Sequence, residues 1–62
     1  MKLYIEWRYP DETERHNHTF YDIDPVTISM AFGFLTFGTK NYEKHWNFPV
    51  SHILEMKVSD EE

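Results

Sequence analysis

Two histidines and two aspartates, each pair spaced two residues apart, are the first candidates for chemistry: His16, His18, Asp22 and Asp24. Residues two apart on a β-strand share a face at roughly 6.5 Å, so two imidazoles there can reach one transition metal. A tetrahedral site needs three or four convergent ligands, and the spacing of the remaining histidines brings none of them close. We therefore predict no metal site, and metal binding through His16 and His18 stays a third hypothesis behind two others.

The sequence contains no arrangement that predicts catalysis. Ser51 and His52 are adjacent, and neighbouring side chains rarely meet in the geometry of a catalytic dyad. Asp22 and Asp24 could act as a carboxylate pair in general acid–base chemistry, but a charged strand edge that discourages sheet-to-sheet pairing accounts for them better. The two glycines of the chain form no phosphate-binding loop. We predict that the chain is not an enzyme and needs no cofactor.

The charge is acidic, with 11 Asp and Glu residues against 6 Lys and Arg, a formal net charge of −5. This balance disfavours direct binding of nucleic acid, which draws most of its affinity from basic side chains. Five carboxylates lie around the first predicted hairpin: Asp11, Glu12, Glu14, Asp22 and Asp24. Side chains on one strand face approach the spacing of nucleic-acid phosphates. The pattern predicts contact with a basic or nucleic-acid-binding surface of a larger protein, including mimicry of a nucleic-acid backbone.

Eleven of the 62 residues are aromatic, more than one small core requires. Alternation places Trp7, Phe20, Phe32, Phe34 and Phe48 in the core and leaves Tyr4, Tyr9, Tyr21, Tyr42 and Trp46 for an exposed face. Aromatic side chains often anchor interfaces, and we predict that Tyr21 and Trp46 join the five carboxylates as partner-binding residues. The alternative is a small barrel that binds single-stranded nucleic acid through Tyr4, Tyr42 and Trp46 with Lys40 and Lys44.

Periodicity predicts the elements that must position these residues. The expected strands are 2–9, 18–23, 26–34, 42–48 and 54–58, with loops at 11–17 and 38–41, a bulge at 33–35 and a helical turn at 49–52. For the segment after Asp24-Pro25, a capped helix is the alternative to a strand. We predict an all-β fold: one antiparallel sheet or open barrel of four or five strands, in a single domain over 1–62 with a frayed acidic tail at 59–62.

The run "FPVSHI" between the last two predicted strands resembles the closing turn of Sm-like small barrels. This resemblance covers about a dozen residues and none of that family's binding motifs, so it implies a fold and no functional residue. The short, acidic, cysteine-free and aromatic-rich chain is also similar to small inhibitors encoded by phages and mobile elements. We therefore predict a non-catalytic module that inhibits or modulates a larger protein. We expect the protein in the cytoplasm, away from membranes. A homodimer formed through an edge strand is a further hypothesis.

Overall fold

Six antiparallel strands make up most of residues 1–60, the part of the chain that the computed structural model describes. The strands are β1 (Lys2–Trp7), β2 (His16–Phe20), β3 (Ser29–Ala31), β4 (Phe34–Gly38), β5 (His45–Pro49) and β6 (Ile53–Ser59). They form two three-stranded sheets, in the orders β2-β1-β6 and β3-β4-β5. The predicted all-β class is confirmed, with six strands in two sheets and no closed barrel.

Three short 3-10 turns connect the strands: Pro25–Thr27, Lys40–Tyr42 and Val50–His52. The last of them confirms the helical turn predicted at 49–52. It leads directly into β6, and its carbonyl at His52 accepts a hydrogen bond from Arg8 N–H at 3.0 Å. The turn thereby fixes the start of β6 beside the end of β1.

The core lies between β1 and β4, the central strands of the two sheets, and the edge strands flank each of them on both sides. Leu3 and Ile5 of β1 and Leu35 and Phe37 of β4 have no accessible surface. The aromatic rings of the edge strands β2 and β5 meet across the two sheets, with Phe20 packed 4.9 Å from Trp46 between ring centroids. The remaining edges, β3 and β6, therefore lie on the opposite side of the core.

That opposite side is poorly covered. Met30 of β3 shares the inward face with Leu35, and Met56 and Val58 of β6 share it with Ile5 and Leu3. All three of these inward-facing residues on β3 and β6 are nevertheless exposed. The core is thus closed by aromatic rings on one side and open along β3 and β6 on the other.

The predicted strand over 26–34 is wrong. Asp24 accepts a hydrogen bond from Val26 N–H at 3.1 Å, with Pro25 at the first position of the turn, so the capped turn that was the alternative forms but lasts only three residues. The chain then reverses at Phe32-Gly33 instead of bulging at 33–35, with φ of 55° and 80°. A two-residue hairpin loop shifts the phase of the alternation by one residue, because Met30 and Leu35 pair across it and share the inward face. A bulge in one continuous strand produces the same phase shift.

The reversal also overturns two predicted core positions. Phe32 is completely exposed, and Phe34 lies opposite Ala31 and Pro49 on the outer face of its sheet. Leu35 and Phe37 are the inward residues of this hairpin instead.

Several boundaries also differ from the predicted ones. Strand β1 ends at Trp7, and β2 starts at His16, so His16 lies in the strand with His18 and not in the predicted hairpin loop. Tyr42 belongs to a 3-10 turn and precedes β5. Ser59 of the predicted tail still pairs with Lys2, while positions 61 and 62 lie outside the described residues.

One buried hydroxyl group joins the first 3-10 turn to the end of β4. Thr27 Oγ1 accepts a hydrogen bond from Gly38 N–H at 2.8 Å and lies 2.7 Å from the carbonyl oxygen of Asp24, to which it can donate. Gly38 is confined there, because a Cβ would lie 2.8 Å from the carbonyl oxygen of Lys44. This contact sets the position of the loop that follows β4.

Candidate protein-binding surface

Three of the predicted partner-binding carboxylates lie together on one exposed loop. Asp11, Glu12 and Glu14 occupy the connection between β1 and β2. Glu12 Oε1 lies 3.2 Å from Nε2 of His16, which holds one side of the loop against the first residue of β2. The loop thus presents a concentrated negative charge at one end of the molecule.

The two predicted aspartates do not join this loop. Asp22 and Asp24 follow the other end of β2, and a five-residue strand separates them from the loop by roughly 15–20 Å. The Asp24 carboxylate also caps the 3-10 turn. The five carboxylates therefore do not form the continuous array on one strand face that backbone mimicry would use.

The β3–β4 hairpin turn lies at the same end as the acidic loop, and a series of contacts connects the two. Val50 N–H donates to the carbonyl of Gly33 at 2.8 Å, and the 3-10 turn that Val50 begins is bonded to Arg8. The Tyr9 ring then packs against His52 at 5.6 Å and His16 at 5.7 Å between centroids. We call this surface the acidic-aromatic end; it comprises Tyr9, Asp11, Glu12, Glu14 and Phe32.

Phe32 is the most unusual residue of this surface. Its side chain is 100% exposed, so it buries no apolar area within the described chain. Its backbone has a φ of 55°, a left-handed conformation that is unfavourable for a residue with a bulky side chain. Asparagine, aspartate and glycine are the usual residues at this position of a two-residue hairpin loop. Nothing in the fold of this chain accounts for a phenylalanine there.

The remaining predicted residues, Tyr21, Asp22 and Trp46, meet at the opposite end of the molecule. They line a shallow groove of about 260 Å³ between the end of β2 and the start of β5, together with Lys44. A second depression of about 420 Å³ continues from it over Lys40, and it too includes Asp22 and Lys44.

The predicted anchor Trp46 is only half-buried, but its ring already serves the core. It stacks on Phe37 with the ring planes 26° apart and a centroid distance of 5.6 Å. Tyr21 is exposed and remains available for contact. The groove is neutral in charge, because Lys40 and Lys44 face Asp22 and Glu43.

The histidine pair does share one strand face, as its spacing predicts, but each ring packs on an aromatic neighbour. His16 stacks on Trp7 at 5.7 Å, and His18 packs edge-on against Phe20 at 4.6 Å. Throughout the described residues, no three His, Cys, Asp or Glu side chains come together in a group that could hold a metal ion. The geometry gives the metal hypothesis no support.

The outer face of the β2-β1-β6 sheet carries a perturbed tyrosine. Partial burial raises the pKa of Tyr4, and the nearby carboxylates of Glu6 and Glu55 raise this pKa further. The Tyr4 hydroxyl group donates to Glu6 Oε1 at 3.5 Å. Tyr4 does not line the groove or the depression to which Lys40 and Lys44 belong.

No family model, curated protein or solved structure matches this chain. Over residues 1–60, the structure contains no helix of the length and apolar character needed to cross a membrane. Sequence reasoning placed Tyr9 on an exposed face but not among the partner-binding residues, and it placed Phe32 in the core. The available signal was Gly33, whose position after a short alternating run is compatible with a hairpin turn.

Proposed function

We propose that this chain is a non-catalytic protein-binding module that inhibits or modulates a larger protein through its acidic-aromatic end. The observation that carries the proposal is Phe32, fully exposed at the tip of a hairpin in a backbone conformation unfavourable for phenylalanine. Aromatic side chains that insert into a pocket of a partner supply much of the binding energy of protein interfaces. A contact of this kind accounts for a residue that the fold itself does not require.

The charge of the neighbouring loop defines the class of partner. Asp11, Glu12 and Glu14 present carboxylates at the same end of the molecule as Phe32, so the proposed partner offers a basic surface and an apolar pocket. Proteins that handle nucleic acids have such basic surfaces, and they are our proposed partner class. Because Asp22 and Asp24 are turned to the other end, the contact uses a short acidic loop and one aromatic tip, without tracing a nucleic-acid backbone.

A comparative pull-down from the source cell tests the proposal. The wild-type chain and a Phe32→Asn variant are used as baits, and captured proteins are quantified by mass spectrometry. We expect one basic protein that the wild-type chain captures and the variant loses at least tenfold. Val26→Asn is the matched control, because Val26 is also highly exposed and lies outside the acidic-aromatic end. Equal capture by the wild-type chain and both variants would contradict the proposal.

A second function is favoured by one observation: Lys44 and Trp46 line the groove, and Lys40 lines the depression that continues from it. Base stacking on Trp46 with phosphates near the lysines would make this groove a site for single-stranded nucleic acid. The proposal predicts quenching of tryptophan fluorescence by a short oligonucleotide at low salt, lost as salt rises and lost in Lys44→Glu. Unchanged fluorescence at low salt would exclude it.

A further inference from the structure

The edge strand β6 is the longest strand of the described chain and has no neighbour on its outer side. It pairs with β1 only, and all of its residues after Ile53 are exposed. An edge strand leaves the N–H and C=O groups of alternate residues without partners, which makes it a template for another strand. Short length, proline or a bulge in the middle usually protect such an edge, whereas β6 is regular from Glu55 to Ser59.

The sequence of β6 is complementary to itself in one antiparallel register. With Met56 opposite Met56 of a second copy, Glu55 of each chain lies opposite Lys57 of the other. In the same register, Leu54 lies opposite Val58 of the second copy. From Leu54 to Val58, every apolar side chain thus meets an apolar one and every charge meets its opposite, the pairing that stabilises antiparallel neighbours. Ile53 lies opposite Ser59 at the two ends of the pairing.

The charges around Glu55 within one chain give this register a further advantage. Glu55 lies directly opposite Glu6 on β1, and like charges in that position are destabilising. The cation nearest to Glu55 in its own chain, Lys57, lies 3.9 Å away with its side chain mostly exposed. A lysine from a second copy on the outer side of β6 would give Glu55 a directly opposed positive charge.

The apolar side chains of β6 also need a cover. Met56 and Val58 face the core side of their sheet yet are 37% and 54% exposed, because the second sheet does not extend over them. Extending the sheet by another β6 places Met56 of a second copy next to Met56, and Leu54 of that copy next to Val58.

We infer that the chain forms a two-fold symmetric dimer in which β6 pairs antiparallel with β6 of a second copy, with the symmetry axis at Met56. The β2-β1-β6 sheets of the two copies join into one six-stranded sheet, with the order β2-β1-β6 in the first copy followed by β6-β1-β2 in the second. The interface is isologous, since the same strand is used on both sides. This inference does not depend on the proposed function, which uses the other surface of the molecule.

Cysteine cross-linking tests the register directly, since the chain has no cysteine of its own. In Met56→Cys, the two introduced thiols lie on opposite strands at a Cα distance of about 5 Å, which suits a disulfide. In the matched variant Val58→Cys, the two thiols are offset by four residues and cannot meet. We expect mild oxidation to convert the first variant to a covalent dimer at least tenfold faster than the second. Equal rates, or faster linking of Val58→Cys, would overturn the inference.

A charge exchange tests the same contact without a covalent bond. Glu55→Lys places two lysines opposite each other in the homodimer, and Lys57→Glu places two glutamates there. Each variant should raise the dissociation constant of the dimer at least tenfold in sedimentation equilibrium, and an equimolar mixture should restore dimers of mixed composition. Glu14→Lys and Lys40→Glu are controls with the same charge changes outside β6, and they should dimerise as the wild type does. Monomers in the mixture, or a wild-type chain that stays monomeric at every concentration, would refute the dimer.

Discussion

Replacement of Phe32 by asparagine separates the requirements of folding from those of binding. Phe32 has no buried surface to lose, so the hydrophobic contribution of the side chain to folding is close to zero. Its left-handed backbone costs an ordinary L-residue roughly 1–2 kcal/mol, and asparagine adopts this conformation more readily. Phe32→Asn should therefore raise the free energy of unfolding by about 0.5–1 kcal/mol, even though a large apolar residue has been removed.

Thermal unfolding followed by circular dichroism measures this change. For a domain of this size, 1 kcal/mol corresponds to a shift of about 4–8 °C, so the midpoint should rise by roughly 2–8 °C. Val26→Asn, at another highly exposed apolar position, controls for the loss of an exposed apolar side chain and should leave the midpoint nearly unchanged. A midpoint lowered in Phe32→Asn would show that Phe32 packs within the fold, and the argument that it serves a partner would fail.

Three further predictions concern the fold around the site. Thr27→Val should lower the free energy of unfolding by about 1–3 kcal/mol in urea denaturation, because Gly38 N–H loses its buried acceptor. The control Ser29→Val, at an exposed strand position, should not lower the free energy of unfolding. Gly38→Ala should destabilise by about 1–3 kcal/mol, because its Cβ would lie 2.8 Å from a backbone oxygen; unchanged stability would show that the loop relaxes freely. The pKa of Tyr4 is raised in the folded chain, so the stabilisation that this shift contributes is complete below pH 10 and is lost as the pH rises further. Tyr4→Phe should therefore flatten the decline of the urea midpoint at alkaline pH. A decline as steep as that of the wild type would contradict the last prediction.

The strands that alternate cleanly could be predicted from the sequence, because one of their faces is buried. Strand β1 follows this rule through Leu3 and Ile5, whereas β6 was predicted from its alternation although its inward face stays exposed. The β3–β4 hairpin was not predicted, because the phase shift in its alternation between Met30 and Leu35 is equally compatible with a bulge in one continuous strand. This one reversal moved Phe32 from the predicted core to the most exposed position of the molecule.

The candidate site was predicted in part for a related reason. The loop carboxylates Asp11, Glu12 and Glu14 are close in the sequence and stay close in space. Asp22 is also close in the sequence, but a strand is a rigid spacer, and β2 carries it to the other end of the molecule. Tyr9 joins the loop through edge-on packing against His16 and His52, contacts that periodicity does not predict.

Hydrogen exchange of this chain, with and without its captured partner, tests the proposed binding surface most directly. The account predicts that the partner slows amide exchange at 8–16 and at 31–34, the two segments that build the acidic-aromatic end, and leaves the groove segment 39–46 unchanged. Protection of 39–46 with no change at 8–16 and 31–34 would place the partner on the groove and contradict the central claim.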